Sequence, residues 1–523
     1  MTVTPTCPDA VPARAARSLQ QQLYAQLRED VLTGKLAAGA RAPSTRGLAE
    51  TLGVSRTTVV LAYDQLLAEG YLETRRGSGT YVSSRLAPSS ESRGAFASTG
   101  TTPRRLSAWG RNLALLDPAT LERQAPVEID FRPGRPDWDA FPHTEWSRLA
   151  ARRWRQASVD LASYGDPAGY GPLREAIAGH LSRSRGVRCD ADQVVIVNGS
   201  QQGVDLLLRI WVDAGDVAAL EDPGYPGAAR ALEAYGARVL PIPVDDDGLD
   251  VSALESAPVS PSTRLVYVTP SHQFPTGATL ALARRLRLIE WAREHGALIV
   301  EDDYDSEFRY LGRPLESMQG LDTAGTVAYV GSFSKAMFPP LRVGYVVMPR
   351  DLVEPYVGAK WLADRQTATP EQQVLYDFMH RGWFDRHLRR MRRLYQSRRV
   401  ALLEALHREL GGAVTASGDG AGLHLVAWLA DGLSAVRVSR EAAALGVAAP
   451  PISPYYAGRP PREGLMLGFA ALDETTIVEG ARRLAMAVRS AAGVRGRLTR
   501  PDHALALPPG SPVRVPDSSG DLS

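Results

Sequence analysis

The run GSFSKAMFPPLRVGY, from Gly331 to Tyr345, holds one of only three lysines in the chain. The others are Lys35 and Lys360, against 60 lysines and arginines together. The preceding TVAYV is rich in β-branched residues and predicts a strand over Val327–Val330, so Lys335 stands in a small-residue loop at a strand's carboxyl end. Ligands of open α/β sheets bind at that end. A lysine there, flanked by serines and with Arg342 seven residues on, suits a Schiff base with an aldehyde that also carries a phosphate. Pyridoxal 5'-phosphate (PLP) is that compound. A solvated loop lysine is the plain alternative, and the rest of a cofactor site must be sought to set it aside.

Three further groups are needed. An acid must face the pyridine nitrogen and keep it protonated. ALIVEDDYDSEFRY offers a strand, Ala297–Val300, followed by Glu301, Asp302, Asp303 and Tyr304. Asp302 is assigned to the nitrogen, and Tyr304 to the phenolic oxygen, where its proton would lower the Schiff base pKa. A carboxylate run can also bind a metal, but no histidine ligand lies beside it in sequence, so no metal is expected. The phosphate needs amides and a cation. QVVIVNGSQQGVDLLLRIW reads as strand, turn and helix, with Gly199, Ser200 and Gln201 at the helix N-terminus. Ser332 and Arg342 complete that cradle, the arginine through charge-assisted hydrogen bonds. A ring must cover the cofactor, and Tyr225 in EDPGYPGAAR is placed in a turn suited to stacking, with YVTPSHQFPTG lining the same pocket.

The elements that must position these groups follow from composition and periodicity. The chain has 523 residues, 44% of them core-forming, and a net charge of +2, so any attraction to nucleic acid must be local. Two distant cysteines, Cys7 and Cys189, exclude a disulfide framework and a zinc site and fit a reducing, cytoplasmic setting. No signal peptide or membrane span is read. Residues 1–17 and 494–523 are Pro-rich and polar and are expected to be disordered, and 83–127, rich in Ser, Thr, Pro and Arg, reads as a flexible linker. Over 128–493 short apolar strands alternate with amphipathic helices, which predicts an α/β domain with a mostly parallel sheet.

Residues 18–82 predict three helices and a hairpin. Pro43 and Ser44 start the second helix, Gly53 ends it, and Ser55 caps the third, whose buried stripe is Val59, Ala62, Tyr63, Leu66 and Leu67. Two short helices about a Gly turn make a helix-turn-helix, with the start of the second (Ser55, Arg56, Thr57, Thr58) entering the major groove. The hairpin would be a wing, with Arg75, Arg76 and Gly77 near the DNA backbone or minor groove. Seven basic against six acidic side chains leave a plain helical bundle as the alternative on charge alone. The order of pieces decides more: GARAPSTRGLAETLGVSRTTVVLAYDQLLAEGYLETRRGSGTYV resembles the winged helix-turn-helix of GntR regulators over its full length. That resemblance implies Arg46, Arg56, Thr57, Thr58 and Gly77 as DNA contacts. Val60 stands where one family variant has arginine.

YGDPAGYGPLREAI, NGSQQG, EDPGYPG, HQFPTG, EDDYDSEFRY and SFSKAMFPPLRVGY resemble class I aminotransferases of fold type I. With the GntR-like module in front, the chain closely resembles the MocR, or GabR-like, regulators. The resemblance implies PLP as an aldimine on Lys335, Asp302 and Tyr304 on its ring, Tyr225 stacked over it, and a homodimer in which Tyr164 reaches the partner's phosphate. Two positions depart from members that clamp a carboxylate with arginine: Gly227, two residues past the stacking tyrosine, and Met466 in LMLGFA. The expected function is a PLP-dependent transcription regulator whose effector is an amine, an amino acid or PLP itself, with vitamin B6 or amino-acid metabolism genes as targets. A working aminotransferase with an accessory DNA-binding module is the alternative, and an interaction module on an inactive enzyme fold a third.

Overall fold

The computed structural model describes residues 18–75, 77–86, 105–115, 126–156, 163–258, 263–312, 315–418 and 420–493. The chain divides into two compact units, Met1–Arg105 and Leu106–Ser523.

In the first unit, α1 (Leu19–Leu32), α2 (Thr45–Leu52) and α3 (Arg56–Ala68) precede a hairpin of β1 (Leu72–Arg75) and β2 (Gly79–Val82). Local chemistry sets the boundaries. Ser18 caps α1 in a capping box with Gln21, Ser44 accepts from the Gly47 amide, and Ser55 accepts from the Thr58 amide. Gly53 ends α2 in the left-handed region (φ 64°), which its missing Cβ permits. Leu27, Val31, Val59, Tyr63, Leu66, Leu72 and Val82 form one small core, which holds the two helices of the turn at a fixed angle. Leu67 is only partly buried at its edge, and Leu19 and Leu32 of α1 are exposed.

The second unit begins inside the stretch read as linker. α4 (Ala108–Ala114), capped by Ser107, lies against the helix Pro226–Tyr235, with Asn112 donating to the carbonyls of Glu233 and Ala234 and Trp109 6.5 Å from Tyr235. There follow β3 (Ile129–Asp130), α5 (His143–Arg155), α6 (Gly171–Arg185), β4 (Val194–Val197), α7 (Ser200–Trp211), β5 (Val217–Asp222), α8 (Pro226–Tyr235), β6 (Arg238–Asp245), β7 (Gly248–Leu249), α9 (Val251–Ser256) and β8 (Thr263–Val268). Next come α10 (Leu282–His295), β9 (Leu298–Asp303), α11 (Met318–Leu321), β10 (Val327–Ser332), β11 (Gly344–Val347), α12 (Val353–Asp364), α13 (Thr369–His380) and α14 (Trp383–Leu410). The chain closes with β12 (Val414–Ser417), β13 (His424–Leu429), α15 (Ala435–Ala444), β14 (Val447–Ala448), β15 (Gly464–Gly468) and α16 (Glu474–Ala491).

Eight strands form one sheet in the order β4-β11-β10-β9-β8-β5-β6-β7. It is parallel except for β11, antiparallel to both its neighbours, and β7. β12, β13 and β15 make a separate antiparallel sheet, backed by α14, α15 and α16. The central strands are buried on both faces, as a sheet covered by helices on each side requires.

Candidate functional site

The predicted cofactor residues converge at the carboxyl ends of β4, β5, β9 and β10. The acidic run is placed differently from its sequence reading. β9 extends to Asp303, so Glu301, Asp302 and Asp303 belong to the strand and alternate across the sheet. Glu301 accepts from the amides of Met318 and Gln319, and Asp303 takes Arg185 at 2.8 Å and the Tyr329 hydroxyl at 2.5 Å. Asp302, on the other face, receives the Tyr267 hydroxyl at 2.5 Å on Oδ2, while its Oδ1 is buried with no hydrogen-bond partner. Burial, with Asp303 and Asp305 nearby, pushes Asp302 up to about 7, although the Tyr267 bond and Lys335 oppose this. Period 2 thus isolates one of three acids, and leaves it one acceptor short of satisfied.

Lys335 lies three residues past β10 and donates to the Gly134 carbonyl at 2.9 Å. Burial pushes its pKa down, Asp305 and Asp302 offset part of this, and Arg342 lowers it further. A depressed ammonium supplies more of the free amine that attacks an aldehyde.

Gly199 caps α7 with φ 86°, and a Cβ there would stand 2.7 Å from an Arg342 nitrogen. The turn is therefore open only because residue 199 is glycine, with Ser200 and Gln201 beginning the helix and Arg342, itself left-handed (φ 53°), donating to the Asn198 carbonyl at 2.6 Å. Ser332 is buried at the end of β10, where its hydroxyl accepts from the Ser334 amide. These groups fit a phosphate on geometry and charge. The Tyr225 hydroxyl donates to Gln201 Oε1 at 2.9 Å, and its ring lies 6.4 Å from that of Tyr267, near parallel to it. Tyr304 is half-buried, with its hydroxyl 3.1 Å from His272 Nδ1. Tyr164 is not brought to this cluster. It is 82% exposed, with the Arg365 guanidinium 5.4 Å from its ring.

Several contributors escaped sequence reasoning. Lys360, fully buried, pairs with Asp364 at 2.5 Å, and the same carboxylate accepts from Asn198 and Gln202. The third lysine therefore braces the turn beneath Gly199. His272 and His424 gather at Asp305, although no histidine lies beside the acidic run in sequence. Both His272 nitrogens and His424 Nε2 already have protein partners, so the group is described as a hydrogen-bonded cluster. Rarity of lysine was a signal for Lys360; nothing local pointed to the histidines.

The two departures acquire physical reasons. A Cβ on Gly227 would lie 2.3 Å from Gln201 Oε1 and 2.6 Å from the Tyr225 ring, so no side chain fits there while these two stay bonded. Met466 is buried among Val426, Trp428 and Ile452, with Phe274, Tyr455 and Tyr456 against them.

In the first unit Arg46, Arg56 and Thr57 are exposed, and Arg46 and Arg56 line a shallow concavity with Glu50, Gly53 and Val54. Arg46 is also 3.4 Å from Glu50, an exposed pair. The Ser55 and Thr58 hydroxyls are 2.8 Å apart, and the Ser55 oxygen caps α3. Gly77 turns the hairpin with φ 74°, Arg75 lies over the Tyr81 ring, and Arg76 falls outside the described residues. Val60 is half-buried.

This fold and this constellation define the aminotransferase class I and II family, whose model matches residues 134–484, more than half the chain; residues 19–82 match the bacterial regulatory proteins of the gntR family. The chain belongs to the former and carries the latter as its N-terminal module, the arrangement of the MocR-type transcription regulators. The chain is 42% identical to the probable rhizopine catabolism regulatory protein MocR of Rhizobium meliloti, over 89% of its own length and 93% of that protein's. It is 32% identical to the HTH-type pyridoxine biosynthesis transcriptional regulator PdxR of Corynebacterium glutamicum, over 90% and 96%. Among solved structures, alpha-aminoadipate aminotransferase LysN of Thermus thermophilus, complexed with N-(5'-phosphopyridoxyl)-L-leucine, matches at a TM-score of 0.65 and 32% identity, covering 73% of this chain and 99% of that one. The chain is thus a DNA-binding transcription regulator with an aminotransferase-like PLP domain. No helix among the described residues is long and apolar enough to cross a membrane.

Proposed function

We propose that this regulator holds PLP on Lys335 and changes its DNA binding in response to an amine, or to PLP itself, in that pocket. When bound, PLP supplies an aldehyde that condenses with amines and a ring that withdraws electrons. Asp302 would hold the ring nitrogen's proton, and its unpartnered buried Oδ1 is the observation that carries this reading. Tyr225 would cover the ring, and Gly199, Ser200, Gln201, Ser332 and Arg342 would bind the phosphate. Tyr164, exposed in its own subunit, would serve the partner's phosphate in a cytoplasmic homodimer. Arg46, Ser55, Arg56, Thr57, Thr58, Arg76 and Gly77 would contact the operator. A buried methionine at the position where the sequence comparison expects a carboxylate-clamping arginine favours PLP or an amine lacking that carboxylate over an amino acid, and vitamin B6 genes as targets.

The test is the absorbance of purified protein between about 300 and 500 nm, with and without added PLP. The wild type should show a visible band that Lys335→Ala lacks, while both bind DNA from the region upstream of the gene. The absence of any band after PLP addition would remove this reading. Transamination is the second reading, favoured by the LysN likeness and by the burial of Lys335, which lowers its pKa. Repeated turnover of an amino donor with a keto acid would establish it.

A further inference from the structure

The Tyr304 hydroxyl lies 3.1 Å from His272 Nδ1, and the same nitrogen is 3.1 Å from each oxygen of Asp305. The far nitrogen, Nε2, is 3.3 Å from the Gly418 carbonyl oxygen, which can only accept, so Nε2 carries a proton. One choice remains to the ring. With Nδ1 protonated, it donates to Asp305 and cannot accept from Tyr304. With Nδ1 bare, it accepts the Tyr304 proton. His272 and Asp305 are 2% and 1% exposed, so water cannot stand in for either partner.

The loop leading into β13 closes over this pair. A Cβ on Gly422 (φ 75°) would stand 2.1 Å from His272 Cε1 and 2.4 Å from Asp305 Oδ2. His424 Nε2 is 3.1 Å from the Pro275 carbonyl, and its ring is 5.1 Å from that of His272. The titratable and charged groups facing His272 are Asp305, Tyr304, His424 and Arg309, and Lys335 acts in turn on His424. Burial opposes a charged His272, but Asp305 and the Gly418 carbonyl outweigh it and raise its pKa above the ordinary value.

We propose that His272, held between Asp305 and Gly418, is a positioning residue that decides whether the Tyr304 proton goes to its own ring or to the cofactor oxygen, and so links the cofactor to the seating of the β12–β13–β15 sheet. This rests on the PLP reading above. Loss of the Gly418 bond, as the small sheet shifts, would free Nε2 to exchange its proton and reset Tyr304.

The experiment is a pH titration of the visible band in full-length, PLP-loaded protein. The variants are His272→Gln/Asp305→Asn, which replaces the pair as a pair so that no buried charge is orphaned, Tyr304→Phe, and all three changes together. With no Nδ1 to accept it, the Tyr304 proton stays on the cofactor oxygen, and the band's midpoint should fall by about one pH unit. In the Tyr304→Phe background the same pair replacement should leave only the smaller direct effect of losing the Asp305 charge near Lys335. An equal shift in both backgrounds, or none in either, overturns the relay and leaves the cofactor reading standing. A colourless wild type overturns both. Should the pair variant fail to fold, Tyr304→Phe still tests the relay. The wild-type titration should carry a second inflection from His272 that Tyr304→Phe removes, and its persistence overturns the proposal.

Discussion

Asp302 is one carboxylate in a row of three, and its neighbours are spent: Glu301 on two amides, Asp303 on Arg185 and Tyr329. Asp302→Asn should therefore weaken PLP binding selectively. A charge-assisted hydrogen bond is worth about 1.5–3 kcal/mol, or roughly 10- to 150-fold in Kd, measurable by absorbance titration. Because the cofactor-free carboxyl is pushed up to about 7, it must lose a proton before it can meet a protonated ring nitrogen. PLP affinity should accordingly fall as pH drops through neutrality, and Asp302→Asn should flatten that dependence. A profile unchanged in the variant would assign the proton elsewhere. In the reading head, Arg56 is exposed with its charge toward solvent at the start of α3, and Arg56→Ala should weaken operator binding by about tenfold without altering the visible band.

At the scale of elements, the turn between β4 and α7 is held from below and limited from the side. From below, Lys360 and Asp364 at the end of α12 grip Asn198 and Gln202. Lys360→Met removes one member of a buried pair and should cost about 3–5 kcal/mol of stability, read as a lowered Tm of the larger unit together with weaker PLP binding. From the side, Gly199→Ala would drive a Cβ into the Arg342 guanidinium at a φ that L-residues resist. The variant should keep its fold and lose at least tenfold in PLP affinity, with inorganic phosphate no longer competing. Ser55→Ala removes the cap of α3 and should cost the first unit about 1 kcal/mol.

At the scale of the whole molecule, two units with separate cores should melt as two transitions. PLP at about 100 times its Kd should stabilise the unit that binds it by about 2.7 kcal/mol and leave the other in place. Calorimetry with and without PLP checks this, and a shift of both transitions would mean that they unfold together.

Much of this was determined by the sequence alone, because the signals are local. Caps at Ser44 and Ser55, the Gly53 stop and the order of strand-end motifs depend on residues a few positions apart, and they suffice for the winged helix-turn-helix, the mostly parallel sheet and the place of Lys335 just past a strand's carboxyl end. The acidic run was legible as lying at a strand end, but that the strand runs on through it, so that alternation separates Asp302 from Glu301 and Asp303, came from the fold, where buried partners allow acids to continue the strand. Other features depended on the tertiary structure. His272 meets Asp305 across 33 positions and Gly418 across 146, and Lys360 steadies Asn198 through Asp364 across 166. The docking of α4 inside a linker-like stretch and the lack of room at Gly227 depend likewise on surfaces supplied from elsewhere in the chain. Propensity and periodicity report what a residue does to its own backbone. Which buried polar group finds which partner is decided only when the sheet brings distant strand ends together and excludes water from them.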